Sequence, residues 1–61
     1  MKRKVKMVGK NYDVVLEEGK KVITVTCISK DGEQLGRKNR FWCSLEGAIE
    51  NYKYYGFVEE I

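Results

Sequence analysis

Alternating apolar and polar side chains in the first thirty residues predict three β-strands. In residues 3–8 apolar side chains alternate with lysines, which is typical of a short edge strand whose charges discourage pairing with another sheet. In residues 12–17 every second position is apolar, and residues 21–29 are rich in β-branched side chains. The positions expected to face a core are Tyr12, Val14, Leu16, Ile23, Val25 and Cys27.

A fourth strand is expected to return antiparallel after a tight turn. Asp31 and Gly32 directly follow the β-branched segment, and this dipeptide is typical of a two-residue hairpin of type I′. Residues 34–43 then predict the fourth strand, in which Gly36 marks a bulge or a bend.

Residues 45–55 carry the signals of a single helix. Ser44 is a good N-cap, and Gly56 occupies the place of the left-handed residue that commonly ends a helix. Gly47 weakens the helix, so we expect it to permit a close approach to the sheet. Residues 57–61 form a short tail that can pack as an extended segment. The stripe expected to lie on the sheet consists of Leu45, Ala48, Ile49 and Tyr52.

Strands followed by one helix predict an α+β fold: a three- to four-stranded antiparallel sheet packed against one C-terminal helix, in a single domain of residues 1–61. A chain of this length buries only about 60% of its unfolded surface, so a deep, water-excluding pocket is not expected. No apolar run approaches the roughly 20 residues of a membrane span, and none follows the basic N-terminus as in a signal peptide. We therefore expect no membrane partner and a cytoplasmic location.

Residues that usually carry catalysis are scarce. The sequence has no histidine, no GxxxxGK[ST] phosphate loop and no Asp-rich calcium loop. Two cysteines, Cys27 and Cys43, are too few for a structural zinc site within one chain. We expect no enzyme, no cofactor and no metal. The cysteines are interpreted as reduced and half-buried in strands, with a disulfide between them as the alternative.

The net charge of +3 is unevenly distributed. Residues 1–10 hold five basic side chains and no acidic one, and residues 37–40 add three more. Acidic side chains gather at Asp13, Glu17 and Glu18, and again along the helix and tail. A basic sheet opposite an acidic helical end suits a polyanionic partner. The alternative is an ordinary solvated surface with a lysine bias.

The aromatic residues near position 42 can be placed in two ways. Because side chains alternate across a strand, Trp42 would share a face with Arg40, and Phe41 would lie on the opposite face. The large area of Trp42 favours it as the main core anchor. The alternative is an exposed aromatic ring among basic groups, suited to stacking or to protein docking.

The junction between the last strand and the helix resembles a known family. The run Trp42-Cys43-Ser44-Leu45-Glu46-Gly47-Ala48 is similar to the AP2-like arm-type DNA-binding domains of phage integrases, in which an aromatic residue closes the last strand and Ser or Thr caps the helix. Those domains pair a three-stranded sheet with one C-terminal helix. This sequence departs from the pattern at Gly47 and in its additional basic N-terminal strand, and we expect no catalytic domain to follow.

This resemblance implies that the exposed face of the sheet enters the major groove of duplex DNA, while flanking basic residues contact phosphates. It also implies an accessory or regulatory factor of a phage or mobile element rather than an integrase. Carried over to this sequence, the base-contacting residues would be Thr24, Thr26, Lys38 and Arg40, and the phosphate-contacting residues Lys20, Lys21, Lys30 and Arg37.

We hypothesise a small non-catalytic nucleic-acid-binding module that contacts duplex DNA with the basic face of its sheet. The alternative is a protein-interaction module, such as a phage-type regulator or inhibitor that docks on a host protein, because the chain has more aromatic residues than a small interior can hold. An exposed strand edge can also pair with a second copy to form a homodimer.

Overall fold

Five strands and one helix make up the computed structural model, which describes residues 3–60. The start of the basic N-terminal stretch, Met1 and Lys2, and the last tail residue, Ile61, lie outside the described residues. In chain order the elements are β1 (Lys4–Val8), β2 (Tyr12–Glu18), β3 (Ile23–Ser29), β4 (Asn39–Phe41), α1 (Leu45–Tyr54) and β5 (Val58–Glu59).

All strands join one antiparallel sheet in the order β4-β3-β2-β1-β5. The α+β class and the C-terminal helix are confirmed, but the sheet has five strands rather than three to four. The tail supplies the additional strand, because Val58 pairs with Val8 and the Glu60 N–H donates to the Lys6 carbonyl at 2.8 Å. For the same reason β1 is not the edge of the sheet: β5 pairs with its C-terminal half.

One face of the sheet holds the core, as the alternation predicts. Met7, Val14, Leu16, Ile23 and Val25 are buried there, and Leu45 and Ala48 of the helix close over them. Tyr12, Cys27, Ile49 and Tyr52 pack partly buried around this cluster. The helix lies closest to β2 and β5, and this placement leaves the helix-facing side of β4 uncovered.

The turn between β3 and β4 differs from the predicted type I′ hairpin. A type I′ turn needs positive φ at both central residues, yet among residues 3–60 only glycines have positive φ. Here Gly32, at φ +93°, closes a three-residue loop in which the Ser29 N–H donates to the Glu33 carbonyl at 2.7 Å. Three-residue loops of this kind, with a single left-handed glycine, are the next most common hairpin connection.

The fourth strand is also much shorter than the predicted 34–43. Gln34 makes only an isolated bridge to Ile28, and the Leu35 N–H donates to the Cys27 carbonyl at 2.8 Å. Gly36 then takes φ +74°, which turns the chain out of the ladder until Asn39. The predicted bend at Gly36 therefore interrupts the pairing with β3, which resumes only over the three residues of β4.

Both helix ends follow the sequence signals. The Gly47 N–H donates to the Ser44 hydroxyl at 3.0 Å, so Ser44 is the N-cap. At the other end Gly56 has φ +96°, and the Phe57 N–H donates to the Tyr52 carbonyl at 3.0 Å, as in a Schellman motif. Gly47 does not approach the sheet as expected, because a Cβ built there meets only the Ser44 hydroxyl.

The close backbone approach occurs instead at Gly9. A Cβ at this position would lie 2.6 Å from the Tyr12 carbonyl oxygen and would collide with the Phe57 ring. Phe57 packs edge-on between two tyrosines, with ring centroids 5.4 Å from Tyr12 and 5.3 Å from Tyr52. The tail is thereby anchored to the sheet and to the last turn of the helix.

Candidate nucleic-acid interface

The residues that the resemblance assigns to base contact are only partly brought together. Thr24 and Arg40 are direct cross-strand partners on the face away from the helix. Thr26 lies on the same face but is only 6% exposed, and its hydroxyl has no hydrogen-bond partner among the described residues. Lys38 lies outside β4 in the exposed connection that precedes it.

Lys30, assigned to phosphate contact, is already engaged. Its ammonium lies 2.6 Å from one oxygen of Asp13, and the Lys6 ammonium lies 3.7 Å from the other. The hydrogen bond from Lys30, with the charges of both lysines, holds the pKa of Asp13 below its ordinary value of 3.8. Asp13 is buried in the middle strand, so Lys30 is better placed to neutralise this carboxylate than to bind a phosphate.

A second ion cluster joins the N-terminal strand to the helix. The Arg3 guanidinium donates to both oxygens of Glu18, at 3.2 and 3.1 Å, and to Glu46 at 2.7 Å. These hydrogen bonds lower the pKa of both carboxyl groups and raise that of Arg3. Glu46 lies in the first turn of α1, where a negative charge also suits the helix dipole.

Five basic residues beside β4 differ from these engaged cations. All five are exposed, and none forms a salt bridge within residues 3–60. Two lie in the β2–β3 turn, two in the connection before β4, and one on β4 itself. We call them the β4-side cations: Lys20, Lys21, Arg37, Lys38 and Arg40.

Neither aromatic residue at the end of β4 is buried, so the preferred placement of Trp42 in the core is wrong. Trp42 is 81% exposed, and Phe41, which faces the helix side opposite Ile23, is 50% exposed. The strand ends at Phe41, and the Cys43 N–H turns back to donate to the Phe41 carbonyl at 3.1 Å. Trp42 therefore lies in the connection to the helix, where strand alternation no longer determines its direction.

Trp42 separates two grooves on this side of the molecule. The first, of about 470 Å³, opens between β4 and the helix. The second, of about 510 Å³, opens between the β2–β3 turn and the start of the helix. Trp42 and Cys43 line both. We call the first the apolar groove, lined by Val25, Phe41, Trp42, Cys43, Gly47, Ala48, Asn51 and Tyr52, and the second the basic groove, lined by residues 18–23 and 42–45.

The grooves were not predicted from the sequence, although one signal for them was present. Ser44 caps the helix only two residues after Trp42, so Trp42 has to lie in the short connection rather than in a strand. No local sequence pattern predicts the partners of Arg3, because Glu18 and Glu46 are 15 and 43 residues away in the sequence.

The structure gives no support for a disulfide, a metal site or a membrane-spanning helix within residues 3–60. Cys27 is half-buried in β3 as expected, but Cys43 is exposed and lies after β4, and both thiols are free. Within residues 3–60 no cluster of three potential metal ligands occurs. The same residues contain no helix of sufficient length and apolar character to cross a membrane.

Comparison with known proteins yields no relative for this chain: no family model, no curated protein and no solved structure matches it.

Proposed function

We propose that this chain is a small non-catalytic nucleic-acid-binding module whose interface is the β4 side of the sheet. The observation that supports this proposal is the distribution of ion pairs. Arg3, Lys6 and Lys30 are all paired with carboxylates, whereas the β4-side cations are exposed and unpaired within residues 3–60. The other exposed lysines of that range without a salt bridge are dispersed over β1, the β1–β2 turn and the helix: Lys4, Lys10 and Lys53. Clustered cations without protein partners suit a phosphate backbone, since binding it releases condensed counterions.

This proposal moves the contact away from the centre of the sheet. Asp13, Val15 and Glu17 of the central strand lie on the face away from the helix, and they offer little to a polyanion. Arg40 beside Thr24 remains available at the β4 end of that face. An accessory or regulatory role in a phage or mobile element rests on the resemblance at the strand-to-helix junction.

The test is binding of labelled mixed-sequence DNA, as duplex and as single strand, followed by fluorescence anisotropy at increasing salt. In a triple variant, Arg37, Lys38 and Arg40 are each replaced by Gln. Three phosphate contacts would be lost, so the slope of log K against log salt should fall in magnitude by about 2–3. The matched control replaces three exposed lysines remote from β4 by Gln: Lys4, Lys10 and Lys53.

The control has the same change in net charge, so it should flatten the slope far less than the β4-side variant. Equal effects of the two triple variants would mean that only overall charge matters and would contradict a localised interface. Absence of binding to every duplex and single strand at low salt would refute the proposal altogether.

A second candidate function, docking on a protein, is favoured by one separate observation. Phe41 is exposed on β4, whose outer edge is unpaired within residues 3–60, and Leu35 is exposed in the segment before it. A partner strand can add to such an edge. Capture of a specific host protein after nuclease treatment, abolished by Leu35→Asp but not by the triple Gln variant, would favour this function over the first.

A further inference from the structure

The single tryptophan of the chain stands at the boundary between an apolar and a basic surface. Trp42 is 81% exposed, so most of its large aromatic surface is available to a partner. On one side it lines the apolar groove with Phe41, and on the other it lines the basic groove with Lys20 and Lys21.

The apolar groove has the form of a site for a flat ring. Phe41 and Trp42 contribute aromatic surface, while Val25 and Ala48 form an apolar base. Burial raises the pKa of the Tyr52 phenol, which therefore stays neutral, and Asn51 supplies a polar side chain at the same groove. A planar base can stack there and still find a hydrogen-bonding group.

The basic groove carries a net positive charge, because its two lysines are unpaired and its one carboxylate is paired with Arg3. Glu18 is the acidic residue in its lining, and its carboxylate accepts hydrogen bonds from Nε and Nη2 of Arg3. The lysine ammoniums of Lys20 and Lys21 have no such partner within residues 3–60. An anionic group next to a stacked base would therefore meet two cations that no carboxylate neutralises.

We infer that the nucleic acid bound is single-stranded, with an unpaired base stacked on Trp42 in the apolar groove and the adjoining phosphates on Lys20 and Lys21. This inference rests on the proposed function and specifies its ligand. Bases in the interior of a duplex are stacked on each other, and exposing a face there requires unstacking, so an exposed tryptophan in a groove stacks most readily on an unpaired base.

A second copy of the chain fits this surface less well. Antiparallel pairing of β4 with itself, centred on Arg40, would place the two guanidiniums directly opposite each other, and like charges in that position are destabilising. The charge of the β4 side is complementary to phosphate instead.

The experiment titrates the protein with oligonucleotides of about 10 nucleotides, oligo-dT and oligo-U, and with a duplex of equal length. Because Trp42 is the only tryptophan, its fluorescence reports this site directly and should be quenched by either single strand. For the variants, which lack this fluorophore, affinity is measured from the fluorescence anisotropy of labelled oligonucleotides. Trp42→Ala should lower single-strand affinity by roughly 5- to 150-fold, the loss expected for one stacked base, and Trp42→Phe should restore part of it.

Tyr54→Ala is the matched control, since it removes an aromatic ring that is 85% exposed but lies outside both grooves. It should leave the affinity unchanged. A second readout uses the wild-type protein: alkylation of the Cys43 thiol by neutral iodoacetamide, mapped by mass spectrometry, should slow when a single strand is bound. Cys43 lines both grooves, so a ligand at either one shields it.

Binding of the duplex as tight as that of the single strands, with no effect of Trp42→Ala and no protection of Cys43, would overturn the inference while leaving nucleic-acid binding intact. No binding to any of the three oligonucleotides would remove both the inference and the proposed function. Quenching of Trp42 by the single strands in the wild type and in Tyr54→Ala, together with protection of Cys43 that is lost in Trp42→Ala and kept in Tyr54→Ala, would support both.

Discussion

Replacing Trp42 by alanine separates a surface role of this side chain from a structural one. In a small domain the single tryptophan is commonly the largest contributor to the core, and the sequence favours that reading here. The structure places the residue in the strand-to-helix connection with 81% of its surface exposed. A buried and an exposed Trp42 predict very different losses in the free energy of unfolding for Trp42→Ala.

The magnitude follows from the small area that is buried. An aromatic side chain presents about 150–250 Å², so the buried fifth of Trp42 amounts to roughly 30–50 Å². At about 25 cal/mol per Å² the substitution should cost about 1 kcal/mol. A tryptophan in the core would cost about 3–5 kcal/mol, which is a large part of the roughly 3–9 kcal/mol expected for a chain of this length.

The measurement is urea unfolding followed by far-UV circular dichroism, because the substitution removes the fluorescent probe. Leu16→Ala provides the internal comparison: Leu16 is fully buried in the central strand, and we expect a loss of about 2–5 kcal/mol. A cost above about 2 kcal/mol for Trp42→Ala, close to that of Leu16→Ala, would refute the exposed position and with it the stacking surface.

Three further substitutions probe the fold. Gly9→Ala should lower the stability by about 1–3 kcal/mol, seen as a melting temperature roughly 8 °C lower per kcal/mol, because its Cβ meets the Tyr12 carbonyl oxygen at 2.6 Å; a neutral result would contradict the close approach. Gly56→Ala should cost about 1–2 kcal/mol through backbone strain alone, since φ is +96° and nothing lies within 4 Å of the new Cβ; an unchanged urea midpoint would exclude this conformation. The pKa of Asp13 is lower in the native state than its ordinary value of 3.8, so the ionised carboxylate stabilises the native state at pH values above 3.8. This contribution to the free energy of unfolding is lost as the pH falls through the native pKa. The urea midpoint of the wild type should therefore fall with pH in that range more steeply than that of Asp13→Asn, and parallel curves would show that the pair with Lys30 contributes nothing.

The candidate site was foreseen only in part. Arg40 and Thr24 were expected on one face of the sheet and are cross-strand partners there. Lys30 was expected at phosphates but pairs with Asp13, a residue 17 positions away that alternation alone does not connect to it. The large area of Trp42 favours a place in the core, but the strand ends one residue before it and leaves it exposed in the connection to the helix.

What the sequence determined by itself is the local structure that neighbouring residues specify. The core faces of the first three strands, the Ser44 cap and the left-handed Gly56 all depend on side-chain alternation or on backbone preferences within a few positions. These features hold in the structure because each can be satisfied without reference to distant parts of the chain.

Only the tertiary structure decided which surfaces remain open. The tail pairs with β1 and not with β4, and the helix packs towards β2 and β5, so the apolar groove beside Trp42 is left without a cover. These choices arise from competition between distant segments for the same sheet edge and the same apolar face. Local periodicity carries no information about that competition, and so the exposure of Trp42 among basic residues became visible only in the folded chain.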